Sequence, residues 1–525
     1  MNRTGKHSTL WLLMVLPLGL ALLIYHPWAK LPLDIWDFRE FLPILQRTTG
    51  GWQRFTALLD YYAHHGRTNP LFYATFVVQY GWFGVDAGGW QWLRVVWMSL
   101  DLFLVVLLCR RIGLRMTAGI AAAMVLVTAS PAVRAWVQLM AEPQALAAIL
   151  GAACIATTYR STDRWQRAAC WITLLVAVAF LSKEVVGSLG AVVFLMAVAW
   201  NRKDGEPVIV RRHIVLGCAL IAVVVAEALM LHTIRAQPGA TGYGMAYGSG
   251  ALSLSRFGAN LLAIMLPVRP GADAALGLLY PANVAAILTL VLGLTTRLRR
   301  RPADACLAVV VSVGLLPALI GAAVYLPWPK FDSFYGLPFF IGPLLLYAAA
   351  IDELLIAGGI RRAFAIVAIV VVPGYAAIAA NRSVESAAAS LRLNADLARF
   401  SGRFAHDDTL LVLSPPQGPR GLPVAANELR EYGATLGWID TTKAAAFLAA
   451  PCDRFTPTTD VTAPGGPVFV SYSYGCGRLP NATLQIVSEY TWRDWRTLAT
   501  VHDTMTLDFA GAAVRELMHK PAPKP

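Results

Sequence analysis

Apolar stretches close to 18 residues long recur from Leu10 to Ala380, with basic clusters between them. Each is long enough to cross a ~30 Å hydrocarbon layer at 1.5 Å of helix rise per residue. A water-soluble fold has no place to bury so many uninterrupted apolar helices. The composition agrees: 57% of the 525 residues are hydrophobic, 14% are charged, and the mean hydropathy is +0.55. By length alone three average soluble domains would fit, but the hydropathy excludes that class. The sequence predicts an α-helical polytopic membrane protein.

About eleven spans are expected, near residues 9–26, 93–109, 116–133, 143–159, 167–182, 185–200, 213–232, 276–294, 304–324, 334–351 and 363–380. The net charge of +13 would suggest a nucleic-acid partner in a soluble protein. Its distribution argues otherwise. Taking alternate connections as cytoplasmic collects 18 bases and six acids on one side, a balance of +12. Clusters such as Arg110–Arg111–Arg115, Arg160–Arg164–Arg167 and Arg297–Arg299–Arg300–Arg301 carry it. Basic residues mark the cytoplasmic side of a membrane protein. The expected N-terminus is therefore cytoplasmic, and an odd number of spans puts the C-terminus outside. Tyr25-His26-Pro27-Trp28 is not a small-residue cleavage site, so the first span is expected to remain as an anchor.

Two outer connections, 27–92 and 233–275, are long enough to have structure of their own. The first contains the apolar run 70–84, which is short for a span and suits an interfacial or re-entrant helix. The second opens with a glycine-rich stretch, 238–250, that lacks the Lys-Ser/Thr of a P-loop and reads as a flexible connector or a substrate-covering loop. It continues into an amphipathic segment, Leu252 to Leu266, expected to lie on the membrane. Residues 1–380 thus form the membrane domain. Residues 381–525 turn polar and predict a small C-terminal extracytoplasmic α/β domain. Its expected elements are a helix from Ser383 to Phe404, strands at 409–414 and 468–473, and a late helix around 510–518. Cys452 and Cys476, the only two cysteines outside the spans, would close a disulfide or remain free thiols.

Charged groups near a membrane need a reason, since each costs about 2.5–3.5 kcal/mol at the slab centre. Asp34, Asp37 and Glu40 follow the first span and would share one helix face. Converging carboxylates can accept a proton or bind a divalent metal; an exposed amphipathic helix with Arg39 as partner is the plainer alternative. Glu142 precedes a span with Pro143 behind it, in the position of a first-turn acid complementing the helix dipole. Lys183 and Glu184 end the fifth span. They read either as a turn pair at the interface or as the site where a lysine meets a lipid-linked phosphate.

The order of these features resembles the GT-C superfamily of polyprenyl-phosphate-sugar-dependent glycosyltransferases, which includes protein O-mannosyltransferases and the lipid A aminoarabinose transferase. After the first span come the acids, then Gly66-Arg-Thr-Asn-Pro-Leu-Phe-Tyr73, Tyr80-Gly-Trp-Phe-Gly84, Trp92-Leu-Arg94 and Cys109-Arg-Arg-Ile-Gly113. Glu142-Pro143, Leu181-Ser-Lys183 and Lys330-Phe-Asp-Ser-Phe-Tyr-Gly-Leu-Pro338 follow in the places where such proteins have a second acid, a lysine and a Leu-Pro. The likeness covers roughly Leu10 to Ala350. The chain departs from the pattern in splitting the adjacent acid pair into Asp34 and Asp37, in having Asn69-Pro70 for a double proline, and in having Phe334-Tyr335 for an Arg-Tyr pair.

The resemblance implies a sugar moved from a polyprenyl-phosphate donor to a glycolipid, polysaccharide or protein acceptor on the outer face of the cytoplasmic membrane. Asp37, or else Asp34, would be the base of an inverting attack. Glu142, Lys183, Arg67, His65, Glu40 and Lys330 would bind substrate, with a cation among them steadying the departing phosphate. The partners implied are the lipid-linked donor, the acceptor and the bilayer, with no nucleic acid. A divalent cation, Mg²⁺ or Mn²⁺, could gather at Asp34, Asp37, Glu40 and Glu142, though carboxylates alone do not specify one. Two other membrane functions fit large outer loops: an O-antigen-type polymerase acting through arginines in two of them, and a flippase or transporter with polar midplane helices such as one carrying Asp101.

Overall fold

The computed structural model describes residues 5–26, 41, 44–64, 66–84, 86–137, 140–200, 207–236, 252–268, 278–300, 305–328, 331, 333–401, 409–414, 468–473, 483–487 and 504–508. The chain divides into two compact units, Met1–His26 with Thr48–Asn381, and Pro27–Arg47 with Arg382–Pro525.

The first unit is helical. Its elements are α1 (Gly5–Tyr25), α2 (Gly51–His64), α3 (Pro70–Phe83), α4 (Ala87–Arg111), α5 (Met116–Thr128), α6 (Ser130–Val137), α7 (Glu142–Tyr159) and α8 (Trp165–Ser182). A 3-10 turn, Val186–Leu189, leads into α9 (Gly190–Ala199) and α10 (Arg211–Arg235). Then come α11 (Leu254–Met265), α12 (Pro281–Arg300), α13 (Ala305–Val324), two 3-10 turns at Ser333–Gly336 and Pro338–Phe340, and α14 (Ile341–Ala357). The last helix, α15 (Gly359–Ser401, 43 residues), begins in the first unit, and its residues from Arg382 onward are counted in the second. Among the described residues, six helices are long and apolar enough to cross a membrane, and several shorter apolar ones accompany them. This is a multi-pass helical membrane protein.

Helices stand at each of the expected spans, with two corrections, and a third concerns the helix expected after them. The stretch 116–133 is not one span: α5 stops at Thr128, Ala129 is extended, and Pro131 falls in the first turn of a separate helix, α6. Proline is well accommodated in the first turn of a helix, where its missing N–H would have no partner, and Pro131 takes that place in α6. The stretch 334–351 begins in 3-10 turns, so its helix starts at Ile341 and runs on to Ala357. The helix expected from Ser383 is the continuation of α15, which has no break at Asn381-Arg382-Ser383.

Core and lipid-type surfaces separate clearly. Every residue of α14 from Ile341 to Leu354 is buried. Glycines allow its neighbours this close: a Cβ on Gly293 of α12 would strike Ala350, and one on Gly342 would strike the carbonyl of Gly314 in α13. By contrast α10 leaves Ile221 64% and Leu229 62% exposed, as expected of a face turned to acyl chains. Basic residues at the opposite ends of these helices are tied down. Asp352 accepts a hydrogen bond from the Arg115 amide at 3.1 Å, and Glu353 faces Arg297 at 3.5 Å and Arg300 at 3.6 Å. Arg160 donates to the carbonyls of Val198 (2.7 Å) and Pro207 (2.8 Å).

In the second unit, β1 (Thr409–Ser414) pairs in parallel with β2 (Val468–Ser473), with Thr409 opposite Val468. Both strands were expected. Two further strands, β3 (Thr483–Val487) and β4 (Thr504–Asp508), pair antiparallel with Thr483 opposite Asp508. The expected helix around 510–518, the pair Cys452 and Cys476, and the glycine-rich stretch 238–250 lie outside the described residues.

Candidate functional site

Four chain segments meet at one end of the helical unit. The first is the turn between α2 and α3. Gly66 has φ +71°, a left-handed conformation that suits glycine, and this lets the Arg67 amide return to the carbonyl of Tyr62 at 2.9 Å. Asn69 precedes Pro70 at the start of α3, and its side-chain oxygen accepts from the amide of Glu184 at 3.3 Å. The residue standing in place of a family proline therefore links two segments of the site.

The second and third segments are the N-terminus of α7 and the C-terminus of α8. Glu142 occupies the first turn of α7, where the helix dipole favours an anion. α8 ends at Ser182, and Lys183 turns to an extended conformation, φ −150° and ψ 113°. Its ammonium comes within 2.9 Å of Glu142 Oε1, both side chains being almost wholly buried. One residue on, Glu184 Oε1 accepts from Arg67 Nε at 3.3 Å. The fourth segment is the 3-10 turn Ser333–Gly336. The Lys183 ammonium lies 5.0 Å from the centroid of the Tyr335 ring, within range of a cation–π contact, and Tyr335 stacks on Tyr325 at 5.0 Å. Arg235, at the end of α10, donates to the Gly66 carbonyl at 3.4 Å.

The electrostatics follow from this packing. Burial opposes ionisation of Glu184, but Arg67, Lys183 and a backbone hydrogen bond outweigh it and hold the carboxyl below its ordinary value. Burial likewise opposes the Arg67 charge, yet Glu184 foremost raises its proton affinity above the ordinary guanidinium value. The result is a buried lattice of alternating charge: Glu142, Lys183, Glu184, Arg67. Such groups are retained at a desolvation cost of several kcal/mol per ion.

Of the residues predicted from sequence, Arg67, Glu142 and Lys183 are brought together. Asp34, Asp37, Glu40, His65 and Lys330 lie outside the described residues. Among the described residues no group of three or more His, Cys, Asp or Glu could hold a metal ion. Sequence reasoning missed Glu184 as a partner of Arg67, since 117 residues separate them. It also missed Tyr335, which stood only as a departure from the family pattern. Asp101 does not face a midplane channel; it is fully buried and accepts from the Trp136 indole at 3.1 Å.

Fold and site together define a multi-pass helical membrane protein with a buried ion-pair cluster at one end. No protein-family model and no curated protein sequence matches the chain. Solved structures are similar at low identity. The archaeal oligosaccharyltransferase AglB from Archaeoglobus fulgidus, in complex with an inhibitory peptide and a dolichol-phosphate, is 10% identical with a TM-score of 0.44, over 78% of this chain and 62% of that one. ArnT from Cupriavidus metallidurans in the apo state is 12% identical with a TM-score of 0.46, over 81% and 84%. The same enzyme bound to undecaprenyl phosphate is 13% identical with a TM-score of 0.45, over 82% and 88%. The chain spans about 62% of the length of the archaeal oligosaccharyltransferase.

Proposed function

We propose that this chain is a GT-C-type membrane glycosyltransferase that moves a sugar from a polyprenyl-phosphate donor to an acceptor hydroxyl at the outer face of the cytoplasmic membrane. The observation that carries the reading is the convergence of Arg67, Glu142, Lys183 and Glu184 at one helix end. Arg67, Glu142 and Lys183 belong to the segments through which the sequence resembles that superfamily, and Glu184 directly follows the last of them. A lipid-linked donor keeps its tail in the bilayer and offers its phosphate at that depth. Lys183, which is buried, and Arg67, which is partly buried, are the cations that would receive it, loosening their hold on Glu142 and Glu184 as they do so.

In the reaction the acceptor oxygen forms a bond to the anomeric carbon as the bond from that carbon to the phosphate oxygen breaks, with its electron pair leaving on the phosphate. The acceptor proton passes to a carboxylate, Asp37 or Asp34, just beyond the opening helix. No nucleotide is consumed, because the lipid phosphate is itself the leaving group. The basic helix ends face the cytoplasm and the cluster faces outward, so donor and acceptor meet outside the cell interior.

The test is transfer of labelled sugar from undecaprenyl-phosphate-linked donors to membrane or envelope acceptors, by membranes containing the chain. Lys183→Met and Arg67→Met should each lower the rate by more than tenfold at equal membrane abundance. A second reading, an O-antigen-type polymerase, draws on the approach of Arg235 to the Arg67 turn, which brings arginines of two outer connections together. It predicts a ladder of polymer lengths; the transferase predicts a single added sugar.

A further inference from the structure

The end of α14 opposite the ion-pair cluster carries a concentration of cations that sugar transfer leaves without a task. Helices α12 and α15 both pack on α14: Gly293 of α12 lies against Ala350, and Tyr347 donates to the carbonyl of Ala368 in α15 at 3.0 Å. The chain reverses between α14 and α15 at Gly358 and Gly359, whose φ values of +73° and +54° are left-handed and suit glycine. The last turns of α12 and α14 and the first turn of α15 therefore share one end of the unit. The turn between α4 and α5 joins them there, since the Arg115 amide donates to Asp352 at 3.1 Å.

Six arginines gather on this patch, Arg115, Arg297, Arg299, Arg300, Arg361 and Arg362, against the two acids Asp352 and Glu353. Two of the arginines are oriented but not satisfied. Arg115 Nε stands 3.8 Å from Asp352 and an Arg300 nitrogen 3.6 Å from Glu353, both beyond hydrogen-bond length. Among the described residues neither guanidinium donates a hydrogen bond, and the two side chains are 53% and 41% exposed. Arg299, Arg361 and Arg362 are exposed and form no ion pair among the described residues. On the same helices, beside the cations, α12 exposes Val291 and Leu298 and α15 exposes Ile366 and Val367.

We propose that this patch is a binding site for an anionic phospholipid of the leaflet at this end, the cytoplasmic one by its basic charge. Arg115 and Arg300 would receive the phosphodiester, and the acyl chains would lie along α12 and α15. Three features favour that occupant. A guanidinium presents paired donors that match phosphate oxygens, and here two of them are held at hand by carboxylates while their donors stay open. The apolar surface that continues from the cations suits an amphiphile, whereas a soluble anion or a nucleic acid would leave it bare. Basic pockets between membrane helices on the cytoplasmic side are the setting in which anionic headgroups bind. The site is independent of the transferase reading and lies at the other end of the fold from the residues that carry it.

The test is native mass spectrometry of the full-length protein, released from detergent with phosphatidylglycerol, cardiolipin or phosphatidylcholine added in turn, so that each bound lipid is counted and its affinity measured. Wild type should retain phosphatidylglycerol or cardiolipin in preference to phosphatidylcholine. Arg115→Gln with Arg300→Gln should weaken the anionic lipid about tenfold, and Arg299→Gln with Arg361→Gln, which breaks no ion pair, about threefold at an unchanged unfolding temperature. Arg164→Gln with Arg167→Gln removes the same charge from the basic connection before α8 and should change nothing. Equal weakening by that control pair would mean diffuse attraction to a basic face and would overturn the site. Equal retention of phosphatidylcholine by wild type would overturn it as well. Displacement of the lipid by millimolar inorganic phosphate would make this a site for a soluble anion and would overturn the lipid assignment.

Discussion

The Lys183 ammonium lies 2.9 Å from Glu142 Oε1, although the two residues belong to different helices and both side chains are nearly inaccessible. The contact fixes the C-terminal end of α8 against the N-terminal end of α7. On the transferase reading, it also holds the cation that would meet the donor phosphate. Removing one member strands the other, at a cost of about 3–5 kcal/mol for a buried pair. Glu142→Gln and Lys183→Met should each lower the unfolding temperature in detergent, while the double substitution recovers much of that loss without recovering sugar transfer. If the double variant is as destabilised as the sum of the two singles, the pair is not coupled.

Glu184 carries a pH signature. Its carboxyl is held below the ordinary value in the folded protein, chiefly because Arg67 and Lys183 outweigh the burial that opposes ionisation. A depressed pKa contributes stability that is full above the unfolded value, near 4.5, and disappears as pH falls through the folded value. Thermal unfolding followed between about pH 6 and pH 3 should show wild type losing stability as the acid end is approached. Glu184→Gln should be less stable at pH 6 and respond less to acid. A Glu184→Gln profile parallel to wild type would count against this assignment.

Glycine packing beneath the site makes a separate prediction. A Cβ on Gly342 would run into the carbonyl oxygen of Gly314, which is backbone and cannot rotate away. Gly342→Ala should therefore destabilise by at least the ~1–3 kcal/mol typical of overpacking. Gly374→Ala in α15, where nothing stands within 4 Å, should leave stability unchanged or slightly improved. Unfolding temperatures of the two purified variants compare them directly.

The helix positions were legible because hydropathy over 18-residue windows is a strong signal, and α7, α8 and α10 lie within a few residues of where it puts them. α2 was not, since Gly51-Trp-Gln-Arg-Phe-Thr-Ala-Leu-Leu-Asp-Tyr-Tyr-Ala-His64 is too polar for a span and has no marked cap. The amphipathic segment before Leu266 forms α11, with Leu254 86% exposed and Ile264 fully buried. For the site, the sequence offered the right ions but not their pairing. Arg67 meets Glu184 and Glu142 meets Lys183 only because the turn between α2 and α3, the start of α7 and the end of α8 come together in the fold. Asn69 and Tyr335 looked like departures from a family pattern. In the fold, one holds the Glu184 amide and the other faces Lys183.

The account rests most heavily on transfer chemistry at the outer membrane face, assisted by a first-loop carboxylate. The most direct measurement is single-turnover transfer from a labelled undecaprenyl-phosphate sugar by wild type, Asp37→Asn and Asp34→Asn in inverted and right-side-out vesicles. The account predicts product only where the outer face meets acceptor, and a loss of at least about 10²-fold in one of the two variants at equal abundance, as for removal of a general base. Full transfer by both variants, or labelled donor that crosses the bilayer without any glycosylated product, would contradict it.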